Sequence, residues 1–211
     1  MPASSNCSTE RLIDIQIVVE DALSEAVLRR LLAPPLGRYR IAACYGKRGC
    51  GYIRKKIHGF NQAARAGPYL VLTDLDDAFC PAELRNHWLT APQNRQLLFH
   101  VAVREVESWL LGDKDGLARF LGISPDRVPG NPDAVADPKS ALLGLARRSR
   151  KRHLREALLP RIGSTAIVGP DYNGTLGEFV LIHWDPLAAA RRSESLKRLL
   201  DRLAAFCRTG G

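Results

Sequence analysis

Residues 69–76 read Y-L-V-L-T-D-L-D, and this stretch decides the fold. A short apolar run that contains β-branched and aromatic residues and ends in acidic residues is typical of a strand buried on both faces. Gly67 and Pro68 interrupt the chain before it, and Pro81 opens a predicted helix after it. The pattern predicts a central strand of a covered sheet, with carboxylates where the strand ends.

Further strands and helices alternate around this stretch. Residues 13–20, I-D-I-Q-I-V-V-E, predict an earlier strand, followed by a helix that Ser24 can cap. A shorter strand over residues 39–44 leads through a glycine-rich loop into a basic helix that ends near Ala66. A last apolar strand over residues 96–103 runs into another helix. This order predicts an α/β fold, a mostly parallel sheet flanked by helices.

The pattern changes after about residue 115. Pro-rich breaks then separate helical stretches, which we place at residues 117–121, 139–159 and 195–206. We expect a flexible N-terminal tail over residues 1–11, an α/β core over residues 12–115, and a helical C-terminal extension over residues 116–211 that packs on the core.

Acidic residues stand where two predicted strands end. Glu20 ends the first strand, and Asp74 and Asp76 end the buried one. Side chains alternate along a strand, so Asp74 and Asp76 are expected on one side. Magnesium prefers such hard oxygen ligands, and Glu20 is expected to serve as a general base or as a ligand to a second ion. The alternative is that these acids only cap helices.

The composition narrows the class of protein. The chain has 211 residues, of which 45% are hydrophobic, and this suits one or two globular domains with a real core. No apolar run approaches the roughly 20 residues of a membrane span, and the N-terminus does not read as a signal peptide. Five cysteines without a C-x-x-C pair argue against a zinc site. We expect a cytoplasmic protein without a membrane partner.

The charge is strongly basic and unevenly distributed. The formal net charge is +9, and no acidic residue occurs between Ala26 and Thr73. This distribution favours a nucleic-acid partner, although each basic block could also be a solvated helix face. The candidate nucleic-acid-binding residues are Lys47, Arg48, Arg54, Lys55, Lys56, Arg147, Arg148 and Lys151.

The acidic pattern resembles that of the TOPRIM family, in which a glutamate ends the first strand and D-x-D ends a later one. Glu20, Asp74 and Asp76 match it. The runs V-V-E-D-A-L-S-E-A-V-L-R-R-L-L, V-R-E-V-E-S-W-L-L-G-D and G-P-D-Y-N-G-T-L-G-E-F-V look like an uncharacterised bacterial TOPRIM-like group related to phage-defence nucleases. The resemblance implies Mg²⁺, with Mn²⁺ as a substitute, and phosphodiester chemistry.

The resemblance also bears on three further residues. It extends the acidic site to Glu107 or Asp113, which lie six residues apart on a predicted helix, about 120° from each other, so that one of them faces the metal. We favour Glu107. Many relatives have glycine where this chain has Asp21, and Asp21 therefore alters the local turn or adds a ligand.

Three functions are compatible with these features. The first is a metal-dependent nuclease that hydrolyses DNA or RNA, in a setting of defence against phage or foreign DNA. The second is a non-catalytic TOPRIM-like module that binds nucleic acid. The third is an effector that acts with an ATPase encoded nearby, since the chain itself has no P-loop pattern. A homodimer is compatible with all three. The intact acidic triad favours the nuclease.

Overall fold

The computed structural model describes residues 12–76 and 78–209. Within them, four strands form one sheet in the order β2-β1-β3-β4, and every neighbouring pair is parallel. The strands are β1 (Ile13–Val19), β2 (Tyr39–Gly46), β3 (Tyr69–Asp74) and β4 (Leu97–Ala102). The predicted α/β class with a parallel sheet is confirmed.

Helices connect the strands and continue beyond the last one. The connecting helices are α1 (Ala22–Leu32), α2 (Cys50–Ala63) and α3 (Pro81–Trp88). The helices after β4 are α4 (Val106–Gly112), α5 (Lys114–Leu121), α6 (Pro138–Arg147), α7 (Arg152–Leu158), α8 (Tyr172–Glu178), α9 (Pro186–Ala190) and α10 (Glu194–Thr209). A π-helical turn, Phe179–His183, extends α8.

The sheet separates two apolar cores. Val18, Val71 and Phe99 pack with α2 and α3 on one face. Ile17 and Leu72 face the other way and join one continuous core with α1 and the helices after β4. Because both faces are covered, the central strands consist almost entirely of apolar residues.

The order of the strands fixes where a ligand can bind. From β1 the chain passes through α1 to β2 on one side, and β3 lies on the other side of β1. The carboxyl ends of β1 and β3 therefore flank a topological switch point, where open parallel sheets leave a crevice. Glu20 and Asp74 stand at these two ends.

Two local predictions were wrong. The cap of α1 is Asp21 rather than Ser24: the Asp21 carboxylate accepts a hydrogen bond from the Ser24 N–H at 2.8 Å. The single helix predicted over residues 139–159 is two helices, α6 and α7, because the Ser149 hydroxyl donates to the carbonyl of Leu121 and turns the chain.

Among the described residues, no helix is both long enough and apolar enough to cross a lipid bilayer.

Candidate functional site

Glu20 and Asp74 meet at the switch point between β1 and β3. One carboxylate oxygen of Glu20, Oε1, accepts a hydrogen bond from the backbone N–H of Asp74 at 2.9 Å and another from the Thr73 hydroxyl. These bonds fix the Glu20 side chain against the end of β3. The other oxygen, Oε2, takes no part in them.

Asp74 reaches in the opposite direction, toward α4. Its Oδ1 accepts a hydrogen bond from the backbone N–H of Val106 at 3.0 Å, in the first turn of that helix. The side chain is partly buried. Asp74 therefore joins β3 to α4 while it faces the other acids of the cleft.

The carboxylates of this cleft oppose one another's ionisation. Burial raises the pKa of Asp74 well above its ordinary value, and the nearby acids raise it further; these are Glu107, Glu20, Asp21 and Asp76. Burial likewise raises the pKa of Glu20, and Asp76 and Asp21 add to it against the two hydrogen bonds from β3. The cluster carries negative charge that its own hydrogen bonds do not offset, and a cation would relieve it.

Asp76 belongs to the same cleft but not to the strand. The strand ends at Asp74, and Leu75 points into the core shared with α2 and α3. The backbone of Asp76 then turns left-handed, at φ 47°, so side-chain alternation does not extend to it. The Asp76 side chain is exposed and raises the pKa of both Glu20 and Asp74 through its charge.

Left-handed backbone recurs at this edge of the sheet. In the ranges 12–76 and 78–209, the non-glycine residues with positive φ are Lys47, Asp76 and Arg104, each just after a strand. The N–H of Asp76 donates to the carbonyl of Arg104 at 3.0 Å, and Arg104 Nη1 donates back to the carbonyl of Asp76 at 3.2 Å. Such conformations cost about 1–3 kcal/mol and cluster at functional sites.

Glu105 and Glu107 form a second acidic group at the start of α4, and Lys139 pairs with both. Glu107 is buried and accepts a hydrogen bond from the Tyr172 hydroxyl at 2.9 Å. Lys139 Nζ lies 2.8 Å from Glu105 and 3.5 Å from Glu107. Burial disfavours the charged form of Lys139, but Glu107, Glu105 and Asp74 more than offset this and raise its pKa. Lys139 thus offsets part of the negative charge on the α4 side of the cleft.

Sequence reasoning missed Lys139 and Tyr172 as members of the cleft. Lys139 lies in the helical stretch predicted over residues 139–159, and nothing in that stretch indicates a contact with Glu105 or Glu107. Tyr172 begins α8, and both residues are brought to the cleft from more than 30 positions away. The sequence signal for Tyr172 is the run G-P-D-Y-N-G, which carries part of the family resemblance but does not indicate which residue it contacts.

Asp113 and Asp21, whose roles the sequence left open, both cap helices. Asp113 caps α5 through the N–H of Gly116 and also accepts from the N–H of Asp185 at 2.8 Å, so it faces away from the carboxylate cluster. Glu107 is the one that faces Asp74. Asp21 caps α1, so it leaves the turn after β1 intact, and its charge acts on Glu20 and Asp74.

The glycine-rich loop after β2 packs tightly against β1. A Cβ on Gly46, whose φ is 103°, would lie 2.0 Å from the carbonyl oxygen of Val19. The N–H of Lys47 donates to Val19 and the N–H of Gly49 donates to the carbonyl of Glu20. These backbone donors hold the end of β1 and are not free for a phosphate. The loop therefore supports Glu20 from behind.

The predicted nucleic-acid-binding residues occupy two regions. Arg54, Lys55 and Lys56 are exposed on α2, whose first turn adjoins the cleft, since Glu20 and Asp76 both act on the Cys50 thiol. Arg48 lies over the ring of Tyr52, and Lys47 pairs with Glu25 at 2.7 Å.

The second region lies at the far end of α6. Arg147, Arg148 and Lys151 are exposed there. They are separated from Lys139 by the length of that helix, about 12 Å for eight residues.

The carboxylates of the cleft suit magnesium bound at an open site, in which water and substrate supply the remaining ligands. In the part of the chain that is described, no group of three or more His, Cys, Asp or Glu side chains is arranged to hold a metal ion. Magnesium, however, is commonly held by one or two carboxylates, with water and substrate phosphate as the remaining ligands. Glu20 and Asp74 each keep one carboxylate oxygen outside the hydrogen bonds described above. These residues fit a cation that is completed by substrate rather than a closed cage.

No protein-family model matches the chain, and no curated protein matches it. Among solved structures, the chain is similar to the C-terminal region of the Burkholderia pseudomallei OLD protein, at 15% identity and a TM-score of 0.44, over 88% of this chain and 98% of that one.

Proposed function

We propose that this chain is a metal-dependent nuclease of the TOPRIM type that hydrolyses phosphodiester bonds in DNA or RNA. The observation that carries the proposal is the convergence of Glu20 and Asp74 at the switch point, with raised pKa values that a cation would relieve. A structural cap needs no such cluster, because the hydrogen bond from Val106 would be served equally well by an asparagine.

In this proposal Asp74 and Asp76 hold the metal at an open site of two carboxylates. Glu107, whose Oε1 is already engaged by Tyr172 and Lys139, joins them only after a shift, because no three such side chains are arranged around an ion in the described residues. Magnesium bound there, or manganese in its place, supplies positive charge against a phosphodiester and favours ionisation of an attacking water. The exposed position of Asp76 gives the site an open side from which a nucleic acid can approach.

Glu20 acts as the general base. Its raised pKa makes it a better proton acceptor than an ordinary surface glutamate. The hydrogen bonds from Thr73 and from the Asp74 N–H hold one of its oxygens in place and leave the other to receive a proton. The geometry therefore gives Glu20 an orientation as well as a suitable basicity.

Positive charges on Lys139 and on α2 offset the repulsion that the acidic cleft would exert on the phosphates of a nucleic acid. Without a cation, Glu105 and Glu107 would repel phosphate, and Lys139 offsets part of their negative charge from inside the fold. The exposed cations of α2 attract the backbone from outside, because contacts to phosphates release counterions. An ATPase partner and a role in defence against foreign DNA come from the family resemblance and belong to the same proposal.

The test is cleavage of single-stranded DNA, double-stranded DNA and RNA with magnesium, manganese or EDTA. We expect Asp76→Asn and Glu20→Gln to abolish cleavage while the fold is retained, because each removes a charge and keeps nearly the same shape. Asp126→Asn is the matched control: it removes one carboxylate that is almost fully exposed and that, among the described residues, pairs only with Lys114, at 3.5 Å.

Cleavage by the wild-type chain in EDTA, or variants as active as wild type, would refute the mechanism. If all forms bind nucleic acid and none cleaves it, even with an ATPase encoded nearby, the chain is a binding module instead.

A further inference from the structure

A cationic cavity lies beside the outer edge of β4, between α3 and α10. Its volume is about 430 Å³. Arg85 from α3, Arg198 and Arg202 from α10, and His100 from β4 line it, and none of the described aspartates or glutamates does. Ligand sites for small molecules span roughly 300–1,000 Å³. The cavity is therefore large enough for an anion that carries an organic substituent.

Two of these arginines have no acidic partner. Within residues 12–76 and 78–209, no carboxylate lies at ion-pair distance from Arg85 or Arg202. Arg202 is partly buried and uses Nη1 for the carbonyl of Phe99, at 2.8 Å. Arg198 has a long contact of 3.4 Å with Glu194, where both side chains are exposed. The cavity thus contains positive charge that no described carboxylate balances.

The hydroxyl of Ser195 is a further polar group of the wall. Ser195 is buried, and its Oγ accepts hydrogen bonds from the N–H of Val103 at 2.9 Å and from the indole of Trp109 at 3.3 Å. Among the described residues nothing accepts the Ser195 hydroxyl hydrogen, which leaves it free to donate. His100, by contrast, is held neutral, because burial and the charges of Arg202 and Arg198 lower its pKa to about 3.

The cavity lies at the same end of the sheet as the acidic cleft. Pro81 and Ala82 in its wall begin α3, which follows the carboxyl end of β3, and Val103 directly follows β4. None of the carboxylates of the cleft lines the cavity. A ligand in the cavity would therefore lie next to the cleft without touching the carboxylate cluster.

From this geometry we propose that the cavity binds the phosphate group of a nucleotide, through Arg85, Arg202 and the Ser195 hydroxyl. A phosphate accepts from several donors at once and matches the planar guanidinium fork of arginine. The apolar wall formed by Pro81, Val101 and Val103 accommodates the sugar that the phosphate carries. The nucleotide is either free or part of a nucleic-acid strand, and the second source rests on the proposed function.

The experiment is calorimetric titration of the full chain in EDTA, so that the acidic cleft holds no metal. Inorganic phosphate, thymidine monophosphate and a short single-stranded thymidine oligonucleotide are the probes. We expect Arg85→Gln to weaken binding of the first two by about tenfold or more, the loss expected for one charged hydrogen bond. Arg85→Lys, which keeps the charge, should recover part of that loss.

Arg95→Gln is the control, because Arg95 is exposed and precedes β4 at the opposite end of the sheet. Arg85 makes no side-chain hydrogen bond within the described ranges and repels Arg202, so its substitution should not lower the thermal midpoint. Equal affinity in wild type and Arg85→Gln, equal losses in Arg85→Gln and Arg95→Gln, or no saturable binding of millimolar phosphate would overturn the assignment.

The probes separate the two sources. A loss for the oligonucleotide as well as for thymidine monophosphate assigns the cavity to a nucleic-acid strand, and a loss for the mononucleotide alone assigns it to a free nucleotide. Because all titrations are done without metal, phosphate binding that depends on Arg85 supports the cavity even if no form of the protein cleaves nucleic acid.

Discussion

Asp74→Asn should make the metal-free protein more stable while it removes a proposed metal ligand. Asparagine keeps the Oδ1 acceptor for the Val106 N–H, which spans 3.0 Å, and nearly the same volume. It removes a negative charge that burial and four neighbouring carboxylates disfavour. Each unit of raised pKa corresponds to about 1.4 kcal/mol, and 1 kcal/mol shifts the midpoint of a chain of this size by about 2–4 °C. We therefore expect the midpoint to rise at neutral pH, by roughly 3–6 °C for each unit by which the folded-state pKa is raised.

The raised pKa of Asp74 predicts how the gain in stability varies with pH. A raised pKa means that the folded state holds its proton more tightly than the unfolded chain does, so wild type loses stability as the pH rises from the ordinary aspartate pKa, 3.8, through the folded value. The gain from Asp74→Asn should be largest above the folded pKa and small near the ordinary one. Thermal unfolding in EDTA, repeated across the pH range in which wild type is folded, measures it.

Asp137→Asn is the control of opposite sign. Hydrogen bonds from Ser140 at the start of α6 lower the pKa of Asp137, so its charge favours the folded state and its loss should not stabilise the protein at neutral pH. Added magnesium should stabilise wild type but not Asp74→Asn. No gain in stability at neutral pH from Asp74→Asn, or the same gain at every pH, would show that burial and the neighbouring carboxylates do not disfavour the charged form of Asp74.

Three further experiments test the surroundings of the cleft. Lys139→Met should lower the free energy of unfolding by about 1–3 kcal/mol, because Glu105 and Glu107 lose their cation; Lys114→Met, which breaks an exposed pair, should cost less than about 1 kcal/mol in the same urea titration. Tyr172→Phe should cost about 1–3 kcal/mol through the lost bond to buried Glu107, and no change in stability would show that bond to be unimportant. Charge reversal at Lys55 and Lys56 should weaken nucleic-acid binding and flatten its salt dependence, measured by fluorescence anisotropy, whereas the same change at Arg191 and Lys197 should do neither.

The sheet could be predicted because its signals are local. The runs over residues 13–20 and 69–74 are apolar, short and bounded by turn residues, and both form strands where predicted. The parallel order followed from the alternation of strands and helices. Glu20 and Asp74 could then be placed at one edge by topology alone, since parallel strands end on the same side.

The helix α8 and the break between α6 and α7 depend on contacts between residues that are far apart in the sequence. The run that forms α8 contains Asn173, Gly174 and Gly177, which are weak helix formers, and it is helical because Tyr172 and Leu176 are buried against the fold. The break between α6 and α7 depends on a bond from Ser149 to Leu121, 28 residues earlier. Neither contact leaves a periodic pattern in the sequence.

Affinity and chemistry are carried by different charges in this molecule. The formal net charge is +9, yet carboxylates concentrate at the switch point. Lys139 is paired with Glu105 and Glu107, at the start of α4, and offsets only part of their charge. Removing one carboxylate from the cleft makes its surroundings more positive, so it cannot weaken the attraction of phosphate to α2. Asp76→Asn should thus bind nucleic acid at least as tightly as wild type while it fails to cleave. A loss of binding in that variant would mean that substrate is held mainly through the metal rather than through the basic flank.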